Sequence, residues 1–204
     1  MDDAKISLFN EIDYHLTVDR KPSIYLKALN NPIFENEHPF TMLSRLKSIK
    51  QSPQHHPEGS VWNHTMLVLD EAAVRKDQSS DSRVFLWAAL LHDIGKVVTT
   101  RVRKGKITAY DHDKAGAGLT REFLQDFVDE PFISKVEALV RWHMQILYTT
   151  KNMRFANLNE MRREANVEDV ALLGLCDRLG RGNVNRHDVE EDVREFMRKI
   201  NKQE

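Results

Sequence analysis

The chain has 204 residues, 41% hydrophobic and 30% charged, which is enough apolar material for a buried core in one large domain or one domain with extensions. Lys and Arg (30) nearly balance Asp and Glu (31), so strong nonspecific nucleic-acid binding is not expected, although local basic patches remain open. The single cysteine, Cys176, excludes an intrachain disulfide framework, and no apolar run resembles a signal peptide or is long enough to span a membrane, so the expectation is a cytoplasmic protein.

In chain order, residues 3–28 predict one or two helices broken around Lys21-Pro22, then a turn at Asn30-Asn31-Pro32 and a short amphipathic helix from Phe40 to Ile49. Gln51 to Gly59 reads as a loop, with Ser60 as N-cap of a helix in which Trp62, Met66, Leu69 and Ala73 recur at helical spacing. A polar linker, Lys76 to Ser82, leads into Val84-Phe85-Leu86-Trp87-Ala88-Ala89-Leu90-Leu91, which is hydrophobic on every face and therefore expected to be buried, with Gly95 placed to stop it. Val97 to Val102 and Ile107 to Tyr110 are rich in β-branched residues and flank Lys104-Gly105, which predicts a small β-hairpin. Helices are expected again over about 113–128, 132–146, 157–165, 167–179 and 187–201. The fold class is thus all-α with one inserted hairpin.

The apolar segment ends in His92-Asp93. A carboxylate and an imidazole carried inward on such a helix must be paired, hydrogen-bonded or bound to a metal. Successive helical residues point about 100° apart, so the two can flank one ion only near a helix end. His64, His112, His143 and Asp177 also lie near the ends of predicted elements or just beyond them, where side chains can converge. Mixed imidazole and carboxylate ligation suits Mn, Fe, Co, Ni, Zn or, with more water, Mg, and does not choose among them.

The order His64, His92-Asp93, Asp177 resembles the HD superfamily of metal-dependent phosphohydrolases. Five ordered segments sharpen this to the HD domain of bacterial tRNA nucleotidyltransferases and poly(A) polymerases. They are His56-Pro57-Glu58-Gly59-Ser60-Val61-Trp62-Asn63-His64-Thr65, Leu91 to Lys96, Asp111-His112 to Gly116-Ala117, Leu139 to His143, and Asp177-Arg178-Leu179-Gly180-Arg181-Gly182. The resemblance implies an HD-domain helical bundle over 34–185, with an N-terminal helical extension over 1–33 and a C-terminal helix over 186–204 packed on it. The residues ahead of His64 are too few for the nucleotidyltransferase head, so the expectation is the hydrolase module alone.

Residue by residue, the resemblance implies His64, His92, Asp93 and Asp177 as ligands of a first divalent ion, with His112 and His143 holding a second that Asp93 bridges. In a one-metal site those two histidines would instead contact substrate. Catalytic roles fall to Asp93 and Lys96, and substrate contacts to Lys96, Arg181 and His56. The expected partner is a small phosphorylated substrate, a nucleotide or RNA end, hydrolysed by a metal-activated water; 2′,3′-cyclic phosphodiesters are within that class. A second reading is a noncatalytic metal- and nucleotide-binding regulatory module, and a third is a hydrolase subunit working with an RNA-modifying partner.

Plainer readings stand beside these. Lys96 also fits as a cation at a helix C-terminus, and His55-His56 as a turn shaping the start of the next helix. Arg101, Arg103, Lys104 and Lys106 read either as a solvated turn or as a cationic lip for nucleotides. Arg178 and Arg162-Arg163 read as surface charges. Trp62, Trp87 and Trp142 read as core, and Cys176 as a buried inert thiol.

Overall fold

The computed structural model describes residues 2–182 and 184–202. Among the described residues the regular structure is helical, apart from one two-stranded hairpin. Helix α1 (Asp3–Val18) is capped by the Asp2 carboxylate, and α2 (Pro22–Ala28) starts on the proline that breaks the predicted long helix. The Asn30-Asn31-Pro32 turn proves to be a helix start: Asn31 caps α3 (Pro32–Asn36). The predicted helix from Phe40 to Ile49 shortens to α4 (Thr41–Ser44) and a 3₁₀ turn over Arg45–Lys47. After the Gln51–Gly59 loop, Ser60 accepts from the Asn63 N–H and caps α5 (Val61–Ala73), as its sequence position predicts.

Helix α6 (Ser82–Leu91) is the centre of the molecule. Asp81 caps it, and every residue from Val84 to Leu91 is buried. It packs on α5 and α1, and on two later helices, α9 (Glu130–Trp142) and α12 (Val167–Leu179). Its all-round apolar surface thus has a partner on each side, and each large side chain so buried contributes roughly 1.5–3 kcal/mol. The N-terminal helices belong to the same core. Phe9 stacks between Trp87 and Phe127 with centroid separations of 4.7 and 4.5 Å, and Asp13 accepts from the Trp87 indole N–H at 2.7 Å.

Two local expectations fail. Gly95 does not end α6 as a left-handed cap; α6 stops at Leu91, and residues 92–95 form a tight turn into α7 (Lys96–Thr99). Gly95 has negative φ, and its missing side chain serves close packing instead. A Cβ there would lie 2.0 Å from the His112 carbonyl oxygen and 2.6 Å from the Gly116 nitrogen. The hairpin is correspondingly shorter than predicted, because Val97-Val98-Thr99 continue as helix. It comprises β1 (Arg101–Arg103) and β2 (Lys106–Thr108), antiparallel, with Val102 opposite Ile107.

Beyond the hairpin, α8 (His112–Leu124) packs along α9. The predicted helix over 132–146 divides at His143 into α9 and α10 (Gln145–Thr150). Helix α11 (Leu158–Glu164) leads to α12, and α13 (Arg186–Asn201) closes the chain against α12 and α10. Two arginines read as surface charges turn out to tie helices together. Arg178 is buried and pairs with Asp192 of α13, and Arg162 donates to the Ile200 carbonyl. No described helix is long and apolar enough to cross a membrane.

Candidate metal centre

The fold gathers His64, His92, Asp93, His112, His143 and Asp177 into one buried cluster, each 7% exposed or less. Helix ends do the gathering. His92 caps the C-terminus of α6 and His143 that of α9, while His112 opens α8. Asp177 lies in the last turn of α12, and His64 in the first turn of α5.

Three of the imidazoles are set by one device. The Nδ1 atoms of His92, His112 and His143 lie 2.9, 2.8 and 2.7 Å from the carbonyl oxygens of Ala89, Ala109 and Val140, each three residues earlier. A carbonyl can only accept, so each Nδ1 carries a proton and each Nε2 is turned into the cluster; burial keeps the His112 and His143 rings neutral, which leaves their Nε2 atoms as lone pairs. His92 Nε2 finds no hydrogen-bond partner among the described residues. His112 Nε2 faces His143 Nε2 at 3.3 Å. Two acceptors so placed repel each other unless a cation lies between or beside them.

His64 is held differently. Its Nε2 hydrogen-bonds to Asp177 Oδ1 at 2.9 Å, and its Nδ1 lies 2.9 Å from Glu58 Oε1, off the line of a good hydrogen bond. Glu58 also accepts from His56 Nδ1 at 2.8 Å. Asp177 Oδ2 in turn accepts from Arg181 at 2.9 Å.

Asp93 stands between the two groups of histidines. Its Oδ2 is 3.4 Å from His92 Nε2 and 3.8 Å from His64 Nε2, and its Oδ1 is 3.4 Å from His112 Nε2. Asp93 is thus shared by two triads with donor atoms close enough for one ion each: His64–His92–Asp93 and Asp93–His112–His143. Lys96 Nζ donates to Asp93 Oδ2 and to Gln51 Oε1, both at 2.7 Å.

Burial works against charge on Asp93, but Lys96, then His92 and His112, outweigh it and hold the carboxyl well below the usual carboxylate range. At Asp177 the same opposition of burial is overcome by Arg181 and His64. Burial also works against a charged His64, yet its bond to Asp177 and the nearby Glu58 carboxylate raise its pKa. Glu58, despite burial, is held at about 2 by His64, its own backbone and His56. Burial pushes His143 down to about 3, helped by His112 and His92, and lowers His112 against the pull of Asp93. The donor set is therefore two ionised carboxylates and a group of buried imidazoles, of which His112 and His143 are neutral, and this fits a borderline divalent cation well.

A cleft of about 180 Å³ opens beside the cluster. Gln51, His56, Lys96, Thr100, Ile107 and His112 are among its walls. Burial, with Lys96 and His64 nearby, pushes His56 down to about 4. Arg181 approaches the cluster from the α12 side, and its glycine neighbours serve packing: a Cβ on Gly180 would lie 2.8 Å from the Val68 nitrogen, and one on Gly182 would lie 3.0 Å from the Pro57 ring. The tryptophans are core, as expected. Burial pushes the Cys176 thiol up to about 12, in keeping with an inert thiol.

Sequence reasoning missed Glu58, Gln51 and the buried Asp113, which pairs with Arg141 at 2.9 Å and ties α8 to α9 one residue from His112 and two from His143. Glu58 sat inside the His56-to-Thr65 segment, so its signal was present but unread.

The HD domain family matches residues 37–182. The chain belongs to that family, at whose level the activity is metal-dependent phosphohydrolysis. It is similar to the Multifunctional CCA protein of Halorhodospira halophila, 33% identical over 67% of this chain and 33% of that protein. The protein of the same name from Pasteurella multocida is 27% identical over 86% of this chain and 43% of that protein. That from Methylococcus capsulatus is 30% identical over 73% and 30%. The chain thus spans less than half the length of these relatives.

Proposed function

We propose that this protein hydrolyses a phosphoester of a nucleotide or RNA end, with 2′,3′-cyclic phosphodiesters and the monoesters they yield as the substrate class. The observation that carries the metal-dependent part is the set of buried, inward-facing Nε2 atoms of His92, His112 and His143 around the ionised Asp93. The similarity to CCA proteins favours the nucleotide part. In this reading His64, His92, Asp93 and Asp177 hold one divalent ion, and His112 and His143 hold a second that shares Asp93.

Divalent ions in such a site supply Lewis-acid activation of a water and of a phosphoryl oxygen. The chain's own residues do the rest. The water oxygen bonds to phosphorus in line with the ester oxygen as that P–O bond breaks, and a proton passes to the leaving alkoxide. Lys96 spends two of its three N–H donors on Asp93 and Gln51, leaving one for a phosphoryl oxygen. That charge is fixed in place before the reaction, so it acts without reorganisation. Arg181 keeps donors beyond its bond to Asp177 and serves as a second phosphate contact. His56, on the cleft wall, contacts the substrate, and Lys96 is the nearby proton donor for the leaving group.

The test is turnover of a 2′,3′-cyclic nucleotide, a chromogenic phosphodiester and a phosphomonoester by purified protein supplied in turn with Mn, Ni, Co and Mg. Metal-dependent turnover that Asp93→Ala abolishes is expected. Metal-replete protein inert toward all of them would overturn the enzyme reading in favour of a binding module.

A further inference from the structure

A second hollow adjoins the cleft. It has a volume of about 400 Å³, and it shares His55, Thr108, Ala109 and His112 with the cleft as a common sill. Its walls come from the β2–α8 link, from α10 and from the segment leading to α11. They carry Tyr110, Tyr148 and Phe155, with Met144, Leu147 and Met153 between them. Neither the metal cluster nor the phosphate contacts use these side chains.

Their exposure is unusual. Among the described residues three aromatic side chains are exposed, Tyr14, Tyr110 and Phe155, and two of them line this one hollow. Tyr110 is 76% exposed, although solvent contact does nothing for an aromatic ring that a fold can bury elsewhere. Asp111, between Tyr110 and the metal-centre residue His112, is held at φ 56°, a conformation rare outside glycine. That turn separates Tyr110 on the rim from His112 on the sill. Of the other residues lining the hollow, Tyr148 and Phe155 lie with ring centroids 5.6 Å apart. Three aromatic rings and flexible thioethers lining a hollow beside the cleft match the chemistry of a flat, apolar-faced ring joined to a phosphate.

We propose that this hollow is a nucleobase subsite, in which the base of the substrate stacks on Tyr110 and on the Tyr148–Phe155 wall while its phosphate crosses the His112 sill to the metal centre. This rests on the phosphoester reading above and adds to it. The enzyme discriminates between phosphoesters that carry a base and those that do not, and it does so by stacking, which tolerates any base. The volume suits a single nucleoside and no longer stretch of strand.

Two measurements test it. The first is the ratio of kcat/KM for adenosine 2′,3′-cyclic phosphate to that for glycerol cyclic phosphate, which has no ring. Tyr110→Ala and Phe155→Ala are each expected to lower this ratio on the order of tenfold, carried by KM. Tyr14→Ala, at the exposed aromatic elsewhere, should leave it unchanged. The second needs no turnover: saturation transfer from protein to the base protons of adenosine alone, present in the parent and lost in Tyr110→Ala. If the parent hydrolyses phosphoesters but shows no transfer to adenosine and an unchanged ratio in both variants, the subsite is wrong and the hydrolase stands. If transfer is seen and lost as described in a protein without turnover, the subsite stands and the hydrolase reading falls.

Discussion

At the His64–Asp177 end of the candidate metal centre those two side chains are braced by charged neighbours, whereas at the His112–His143 end the imidazoles are braced by the backbone, as His92 between them is. Glu58 backs His64, Arg181 backs Asp177, and Lys96 neutralises the near oxygen of the shared Asp93. At the far end Ala109 and Val140 lend carbonyls, and the nearby Asp113–Arg141 pair clamps the helices without touching the inward-facing nitrogens. The first end carries its own countercharges and is electrostatically closed. The second presents two facing lone pairs and depends on a cation for its attraction. Side chains can be tuned one at a time, but a carbonyl cannot be substituted, so the two ends should respond differently to mutation.

Asp93, common to both, gives the largest effect. Asp93→Ala should remove all bound divalent metal, measured by elemental analysis, and all metal-dependent turnover. It also strands Lys96 in a buried site, which costs about 3–5 kcal/mol of stability for a broken buried pair. Metal retained at either end in that variant would break the idea of a shared carboxylate. His143→Ala comes next. It should lower bound metal by one equivalent and leave the other, because the first triad does not include it. Loss of both ions would mean that the ends are not separable.

Glu58→Gln probes the charged bracing alone. Partners of metal-bound histidines are typically worth 10–100-fold in affinity, so competition with a fluorescent chelator should show roughly that weakening for one ion and none for the other. The smallest effect is expected from the exposed hairpin. Lys104→Ala should reduce the salt dependence of KM for an RNA-end substrate by less than one charge's worth while leaving mononucleotide kinetics alone. A change in metal content there would show that the hairpin supports the far end rather than steering substrate.

What could be read from the sequence follows the same division. His92 and Asp93 announced themselves because a local pattern, an apolar run ending in two polar groups, poses a burial problem that only pairing or a metal can solve. Helix caps such as Ser60 were legible for the same local reason. Glu58 was not: it is an ordinary loop acid until the fold brings it against His64 and, 124 residues later in the chain, Gly182. Lys96 read equally well as a helix cap, and only its bond to Gln51, 45 residues away, and its burial decide otherwise. Tyr110 and Phe155 carried no signal at all, since an exposed aromatic ring is recognisable only once its surroundings are known.

Gly95 sets the distance between the two ends. The turn that carries His92 and Asp93 touches the first turn of α8 backbone to backbone, with no side chain in between. The spacing of the centre is therefore a ruler cut in peptide units, indifferent to repacking of the core around it. Adding one methyl group at that position would push Asp93 and His112 apart together, so metal should be lost from Gly95→Ala in a single concerted step, with neither ion surviving as a half-loaded species.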